Sequence, residues 1–433
     1  MSVDIHLPPI DPTSAERLLQ AGLRFAVLDT SDRDAYVAWY HAVNRGFNAA
    51  QIADADLQER LDNFGDRRSV GVWDESAADP RTPVATSSGW VAGLTLPGNS
   101  SIPAWAISTV TVAPTHRRRG IATAVLEAEL RTAVELGIPV AMLTVSEATI
   151  YSRFGFAPSA MQAEWNFALA RARWIGPKPS GRLHLVPNDQ LMKTGHSLVE
   201  RVRLQTPGQI EFGGVHWMRL FGIYGEARGR DYRCVRYDDD SGEPQGFAIY
   251  QVTRTPHSED TLLEVIYLVS ATDDAYAALW RYLFEVDLVT SVRAHLRAID
   301  EPVQWQIADA RAARKTDESD HLWTRILDVR GALEARTYSA PARLVLRVDD
   351  AQGFATGTYL LEIDASGTAR VSGTQEAPDL ALSVIELSAI YLGGVSVELL
   401  ARSGRITELS EGAVLAANRA FASGVTPWLS IWF

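Results

Sequence analysis

The chain has 433 residues, 46% hydrophobic and 22% charged, with a formal net charge of −12; that length exceeds one ordinary core and predicts two or three domains of a globular protein. The acidic balance argues against a nucleic-acid partner, whose footprint is a basic face, and suits a cationic small molecule. A single cysteine, Cys234, excludes an intramolecular disulfide and a cysteine-cluster metal site. The amino terminus lacks a basic start followed by an apolar core, and no run reaches the roughly 18 to 20 apolar residues of a membrane span, so a cytoplasmic protein without membrane attachment is expected.

Two breaks divide the chain, the Pro/Gly-rich "WIGPKPSGR" (174–182) and the polar "RAARKTDESD" (311–320). They predict domains at 1–173, 174–317 and 318–433. The first segment opens with helical patterns at "DRDAYVAWYHAVNRGF" and "DADLQERLDNF", then strand-like runs at "RSVGVWD", "PVATSSGWVAGLTL" and "AWAISTVTVAP". A helix over "IATAVLEAELRTAVELG" stops at Gly137, and strand "PVAMLTV", short helix "EATIYSRFG" and strand "AEWNFALA" follow. The result is a mixed α/β unit with a central helix flanked by two strands. The second segment repeats this grammar in "QGFAIYQVTR", "TLLEVIYLVS" and the helix "DDAYAALWRYLFEVD". The third has strands "ARLVLRVDD", "GTYLLEID" and "TARVSG", then helices "LSVIELSAIYLGG" and "AVLAANRAFAS", an α+β order.

The strand-to-helix turn "VTVAPTHRRRGIATAVLEAEL" (110–130) concentrates positive charge in an acidic chain. The first amides of a helix have no intrahelical acceptor and, with the macrodipole, form an anion site. Three arginines strengthen that field, and Gly120 lets the main chain approach a phosphate closely. Arg117 to Ala122 reads R-x-x-G-x-A, a turn suited to a pyrophosphate. A solvated basic patch is the plain alternative, which the position between strand and helix disfavours.

These pieces, with "PVAMLTVS" and the downstream "YSRFGF", resemble the GNAT superfamily of acyl-coenzyme A N-acyltransferases. The resemblance implies two splayed strands with pantetheine between them, Val110, Thr111 and Val112 offering main-chain groups to the pantetheine and acetyl carbonyl. It implies that Arg117, Arg118, Arg119, Gly120, Ile121, Ala122 and Thr123 cradle the pyrophosphate, and that Ser146 and Glu147 border the cofactor. Tyr151, in the Y-x-x-x-G-F pattern, is implied as the general acid that protonates the leaving thiolate; a packing aromatic beside Phe154 and Phe156 is the other reading. The whole chain is similar to the Eis (enhanced intracellular survival) family. That resemblance implies an N-terminal GNAT domain, a central degenerate GNAT-like domain and a C-terminal sterol-carrier-protein-like α+β domain. It further implies acetyl-coenzyme A as cosubstrate, no metal, aminoglycoside amines as acceptors, a homohexamer, and the carboxylate of Phe433 as general base.

Two features of the residues support this. Where the first segment has "PTHRRRGIA" the second has "ATDDAY", and Asp273 and Asp274 would repel a pyrophosphate, so cofactor binding is expected to be lost there. The tail "TPWLSIWF" is unusually apolar for a terminus and is expected to pack into protein, where desolvation raises a carboxylate's pKa. Trp39, Phe47 and Asp54 are candidate substrate-pocket residues, with core packing as the alternative for the aromatics. Rival readings are a GNAT acting on protein lysines or N-termini, and a lipid-binding or scaffold protein.

Overall fold

The computed structural model describes residues 4–5, 8–49, 57, 67–222, 231–254 and 260–433. Of the helix expected at "DADLQERLDNF" only the helical, buried Leu57 is described, and Asp54 lies outside the described residues.

In the first segment the described strands are β1 (Arg24–Val27), β2 (Arg68–Trp73), β3 (Ala85–Leu96), β4 (Ser100–Val112), β5 (Val140–Thr144) and β6 (Ala157–Ala168). Helices α1 (Pro12–Gln20), α2 (Arg33–Gly46), α3 (Ile121–Glu135) and the single turn α4 (Ala148–Tyr151) accompany them. The second segment repeats the pattern with β7 (Arg182–Val186), β8 (Arg233–Asp238), β9 (Pro244–Arg254), β10 (Thr261–Ser270), β11 (Ser291–Arg297) and β12 (Ala313–Ile326). Its helices are α5 (Asn188–Thr194), α6 (His196–Arg203), α7 (Gly214–Leu220) and α8 (Asp273–Phe284).

These strands form one sheet in the order β1-β2-β3-β4-β5-β12-β6-β11-β10-β9-β8-β7. The order is nearly a palindrome, and its centre is an exchange. β6 follows β5 in sequence but pairs antiparallel with β11, whereas β12 follows β11 and pairs antiparallel with β5, Leu322 opposite Thr144. The two exchanged strands pair with each other from Ala313↔Phe167 to Thr324↔Ala157. Each half therefore completes its sheet with a strand of the other.

The polar stretch read as a break at 311–320 is mostly the first half of β12. Its side chains project to solvent while its backbone is paired with β6, so its composition mimics a linker. The segment 175–181, by contrast, is irregular chain.

The third segment is a separate five-stranded sheet, β15-β14-β13-β16-β17, from β13 (Ala342–Asp349), β14 (Gly357–Ile363), β15 (Ala369–Gly373), β16 (Leu380–Ser383) and β17 (Thr407–Glu408). Helices α9 (Val329–Ala335), α10 (Val384–Ile390), α11 (Val397–Arg402) and α12 (Ala413–Phe421) complete this α+β unit. It docks on the large sheet through α10, whose Ser388 carbonyl and hydroxyl bond Thr324 Oγ1 and Ile326 N at 3.1 Å each.

Candidate active site

Helix α3 begins differently from its counterpart α8. Its N-cap is Gly120 at φ +75°, a left-handed conformation that glycine adopts without strain, and no side chain caps the first amides. There is no acidic residue in the first turn. In α8, Thr272 accepts from Ala275 N at 3.1 Å and Asp273 and Asp274 occupy the first turn. The first helix thus keeps its positive end available to an anion, and the second neutralises it.

The strands beside each helix fork. β4 pairs in parallel with β5 only over Ala104–Ala106, and a bulge follows: Thr86 opposes Thr111 while Ser88 opposes Ser108, with Thr109 at φ +55°. The bulge turns Val110 to Val112 away from β5, and a cleft of about 600 Å³ opens there. In the second half, β10 and β11 pair over Leu262–Val265, and Arg297 then spans the fork, its Nη1 donating to the Leu268 carbonyl at 2.9 Å. Arg297 is buried and paired with Glu301 at 2.7 Å. Arg297 thus occupies the fork itself, and a cavity of about 350 Å³ lined by Leu268, Tyr276, Arg297 and Trp428 remains beside it.

The cleft of the first half gathers residues the sequence singles out. Val110, Thr111, Val112, Arg117, Arg118, Gly120, Ile121, Ala122, Thr123, Ser146, Glu147 and Tyr151 all line it, together with Phe47 from the end of α2. Arg119 is not among its lining side chains. Its Nη2 donates to the Ala21 carbonyl at 3.1 Å, and Nη1 lies 4.0 Å from Asp74, so this guanidinium ties the turn to α1 and to the end of β2. Asp74 is held near pKa 2 by hydrogen bonds from Ser76 and His116 and is a fixed negative charge behind the turn. Trp39 is also elsewhere: it is a core residue, 1% exposed, with Nε1 donating to the Val70 carbonyl at 2.8 Å. The core packing given as the alternative for this aromatic is what the structure shows.

Tyr151 meets both readings at once. It lines the cleft, and its ring packs edge-on against Phe156 at 6.3 Å in a cluster with Phe154. Burial, then the charge of Glu147, raises its pKa above 10, so the phenol is protonated at neutral pH.

The tail ends at Thr144, two residues before the cleft-lining Ser146, although Phe433 itself is not among the residues lining the cleft. From α12 it runs back over the large sheet, where Gln209 Nε2 bonds the Trp428 carbonyl at 3.0 Å and Ser430 Oγ bonds Gln209 Oε1 at 2.8 Å. His321 Nε2 then donates to the Ile431 carbonyl, and Thr144 Oγ1, at the end of β5, donates to the Phe433 main-chain oxygen, both at 2.8 Å. The Phe433 ring meets Trp90 edge-on at 5.5 Å, and the Arg67 guanidinium covers Trp90 at 3.8 Å. Arg67 Nη2 lies 2.6 Å from His216 Nε2. Because arginine can only donate, that nitrogen is the acceptor. Burial and the charges of Arg67 and Arg219 push His216 well below its usual pKa, consistent with a neutral ring. Sequence reasoning finds none of Thr144, Trp90, Arg67, His216 and His321, whose only shared signal is the apolar tail they receive.

Among the described residues there is no group of three or more His, Cys, Asp or Glu placed to hold a metal, and no helix long and apolar enough to cross a membrane.

A forked sheet with an uncapped helix end at the fork defines an acyl-transferring enzyme of the GNAT type. Residues 28–159 and 215–330 each match an acetyltransferase (GNAT) domain, and residues 329–430 match a sterol carrier protein domain. An uncharacterized N-acetyltransferase of Streptomyces avermitilis is 36% identical over 401 residues, covering 90% of this chain and 94% of that protein. The N-acetyltransferase Eis of Mycobacterium tuberculosis is 34% identical over 340 residues, 77% of this chain and 81% of that one. The crystal structure of Eis1 from Mycobacterium abscessus superposes with a TM-score of 0.80 at 28% identity, covering 95% of this chain and all of that one. The chain belongs to the Eis family of N-acetyltransferases.

Proposed function

We propose that this N-acetyltransferase takes its acetyl group from acetyl-coenzyme A and delivers it to amines of polycationic small molecules, aminoglycosides first, by direct transfer in a ternary complex. The observation that carries the donor is the uncapped start of α3 opening into the forked cleft. The free amides of Ile121, Ala122 and Thr123 and the side chains of Arg117 and Arg118 suit a diphosphate, and the splayed edge of Val110 to Val112 suits an extended amide-bearing chain. The acceptor class is supported by the chain's net charge of −12 and by family resemblance. Resemblance also supports a homohexamer.

In this reading the Phe433 carboxylate, held at Thr144, takes a proton from the acceptor ammonium, directly or through water. The amine nitrogen attacks the thioester carbon, and a main-chain N–H near the bulge at Val110 to Val112 holds the developing oxyanion. The carbon–sulfur bond breaks, Tyr151 protonates the departing thiolate, and the second proton shed by the acylated nitrogen passes through solvent to restore the Tyr151 phenol. These steps need no covalent nucleophile and no metal.

The test is free-thiol release from acetyl-coenzyme A against a panel of aminoglycosides, simple polyamines and lysine or N-terminal peptides. Release with aminoglycosides is expected. Release with peptides alone would move the acceptor to protein, and none with any amine would remove the enzymatic reading.

A further inference from the structure

The turn that carries Tyr151 is braced by a residue that belongs to neither the turn nor its own segment. After α4 the chain tightens into a turn in which Gly155 N bonds the Ser152 carbonyl at 3.1 Å and Phe156 N bonds the Tyr151 carbonyl at 3.4 Å. The Phe154 carbonyl points out of this turn and accepts from Arg325 Nε of β12 at 2.7 Å. Gly155, at φ +85°, lies so close that a β-carbon there would collide with the Arg325 guanidinium.

Every other edge of that guanidinium is committed. Nη1 donates to the Ile326 carbonyl, and Nη2 donates to both oxygens of Asp350 at 2.9 and 2.7 Å. Asp350 stands just after β13 in the third domain and is itself fixed by the amides of Gln352 and Ala355, at 3.1 and 2.9 Å. The side chains of Arg325 and Asp350 are 0% and 2% exposed. A buried ion pair of this kind is often no more stabilising than apolar residues of the same volume. What it provides here, and apolar residues could not, is a directed donor to one carbonyl of the turn carrying the phenol.

We propose that Arg325, aligned by Asp350, is a positioning residue for Tyr151, so that the third domain sets the geometry of the acid in the first. The proposal rests on the reading of Tyr151 as general acid. A lysine at 325 keeps the charge but offers a single donor centre, unable to reach both Phe154 O and Asp350. An asparagine at 350 keeps the shape and loses the charge that orients the guanidinium.

The experiment is a double-mutant cycle in the full-length chain: Arg325→Lys and Asp350→Asn, each made in the parent and in Tyr151→Phe, with kcat, the acetyl-coenzyme A KM and thermal midpoints measured. In the parent, each change is expected to lower kcat by about 10- to 100-fold, the cost of displacing a reacting group by a fraction of an ångström to an ångström, with KM nearly unchanged. In Tyr151→Phe the same changes are expected to leave the residual kcat unaltered, because the group they position is gone. An equal loss in both backgrounds overturns the positioning role while leaving the acid assignment standing. Tyr151→Phe at the parental rate overturns the acid assignment itself, and with it the proposal. Asp350→Asn, nearly isosteric, provides the cycle if Arg325→Lys does not fold.

Discussion

Protonation of His321 ties the stability of the molecule to the placement of its tail. The ring is fully buried, its Nε2 donates to the Ile431 carbonyl at 2.8 Å, and it meets Trp432 edge-on at 4.4 Å. Burial pushes its pKa from 6.5 down to about 4. Between those values the unfolded chain takes up a proton that the folded chain refuses. Stability from this group is therefore intact above about pH 6.5 and is lost progressively as pH falls toward 4. At 1.36 kcal/mol per unit of displacement, the loss amounts to roughly 3 kcal/mol. His321→Gln keeps an amide donor near the position of Nε2 and removes the titration. Urea unfolding of both proteins, stepped from about pH 7.5 to 4.5, gives two stability curves in which every other titrating group is shared. The parental curve should fall more steeply by that amount across the acid window, with kcat falling as the tail loosens. Curves separated by a constant offset would refute the reasoning.

Four further outcomes are expected. Tyr151→Phe should lower kcat by about 10²- to 10⁴-fold with little change in acetyl-coenzyme A affinity by calorimetry; because the phenol's pKa is raised and its protonated form is the active one, the alkaline fall in parental rate should lie above the ordinary tyrosine range near 10. Arg118→Ala should raise the acetyl-coenzyme A KM by about tenfold or more through loss of a charge-assisted contact, whereas Arg119→Ala, which removes a bond to Ala21, should show up mainly in the thermal midpoint. Residues appended after Phe433 should cut kcat while circular dichroism stays unchanged, and full activity in such a protein would remove Phe433 from the mechanism. Residues 1–173 produced alone should fail to give a cooperative unfolding transition, since β5 and β6 would both lack β12.

What the sequence discloses is what is local. The arginine turn, the helix that stops at Gly137 and the Tyr151 turn are each built from contiguous residues whose capping and turn chemistry is written in order, and the structure assembles them in one cleft. Arg119 shows the limit within that motif: three adjacent arginines are equivalent on paper, and only the approach of α1 separates the third from the other two. The strand exchange leaves no local trace, because β6 and β12 look alike whichever half they serve. Their partners are chosen by contacts across more than a hundred residues. The same is true of the tail's receptors, where Thr144, His216 and His321 are unremarkable in their own segments and acquire a role only when three domains meet.

The exchanged strands also govern the timetable of synthesis. As the polypeptide leaves the ribosome, β5 emerges with one edge bare and stays so until Ile326 has followed it. At about 5–20 residues per second that wait is on the order of ten to forty seconds. Throughout it the nascent first half exposes an unsatisfied row of peptide groups, the kind of edge to which stray chains add. A cell making this enzyme must shield that edge or finish quickly, and a stalled or truncated message yields a fragment prone to aggregate.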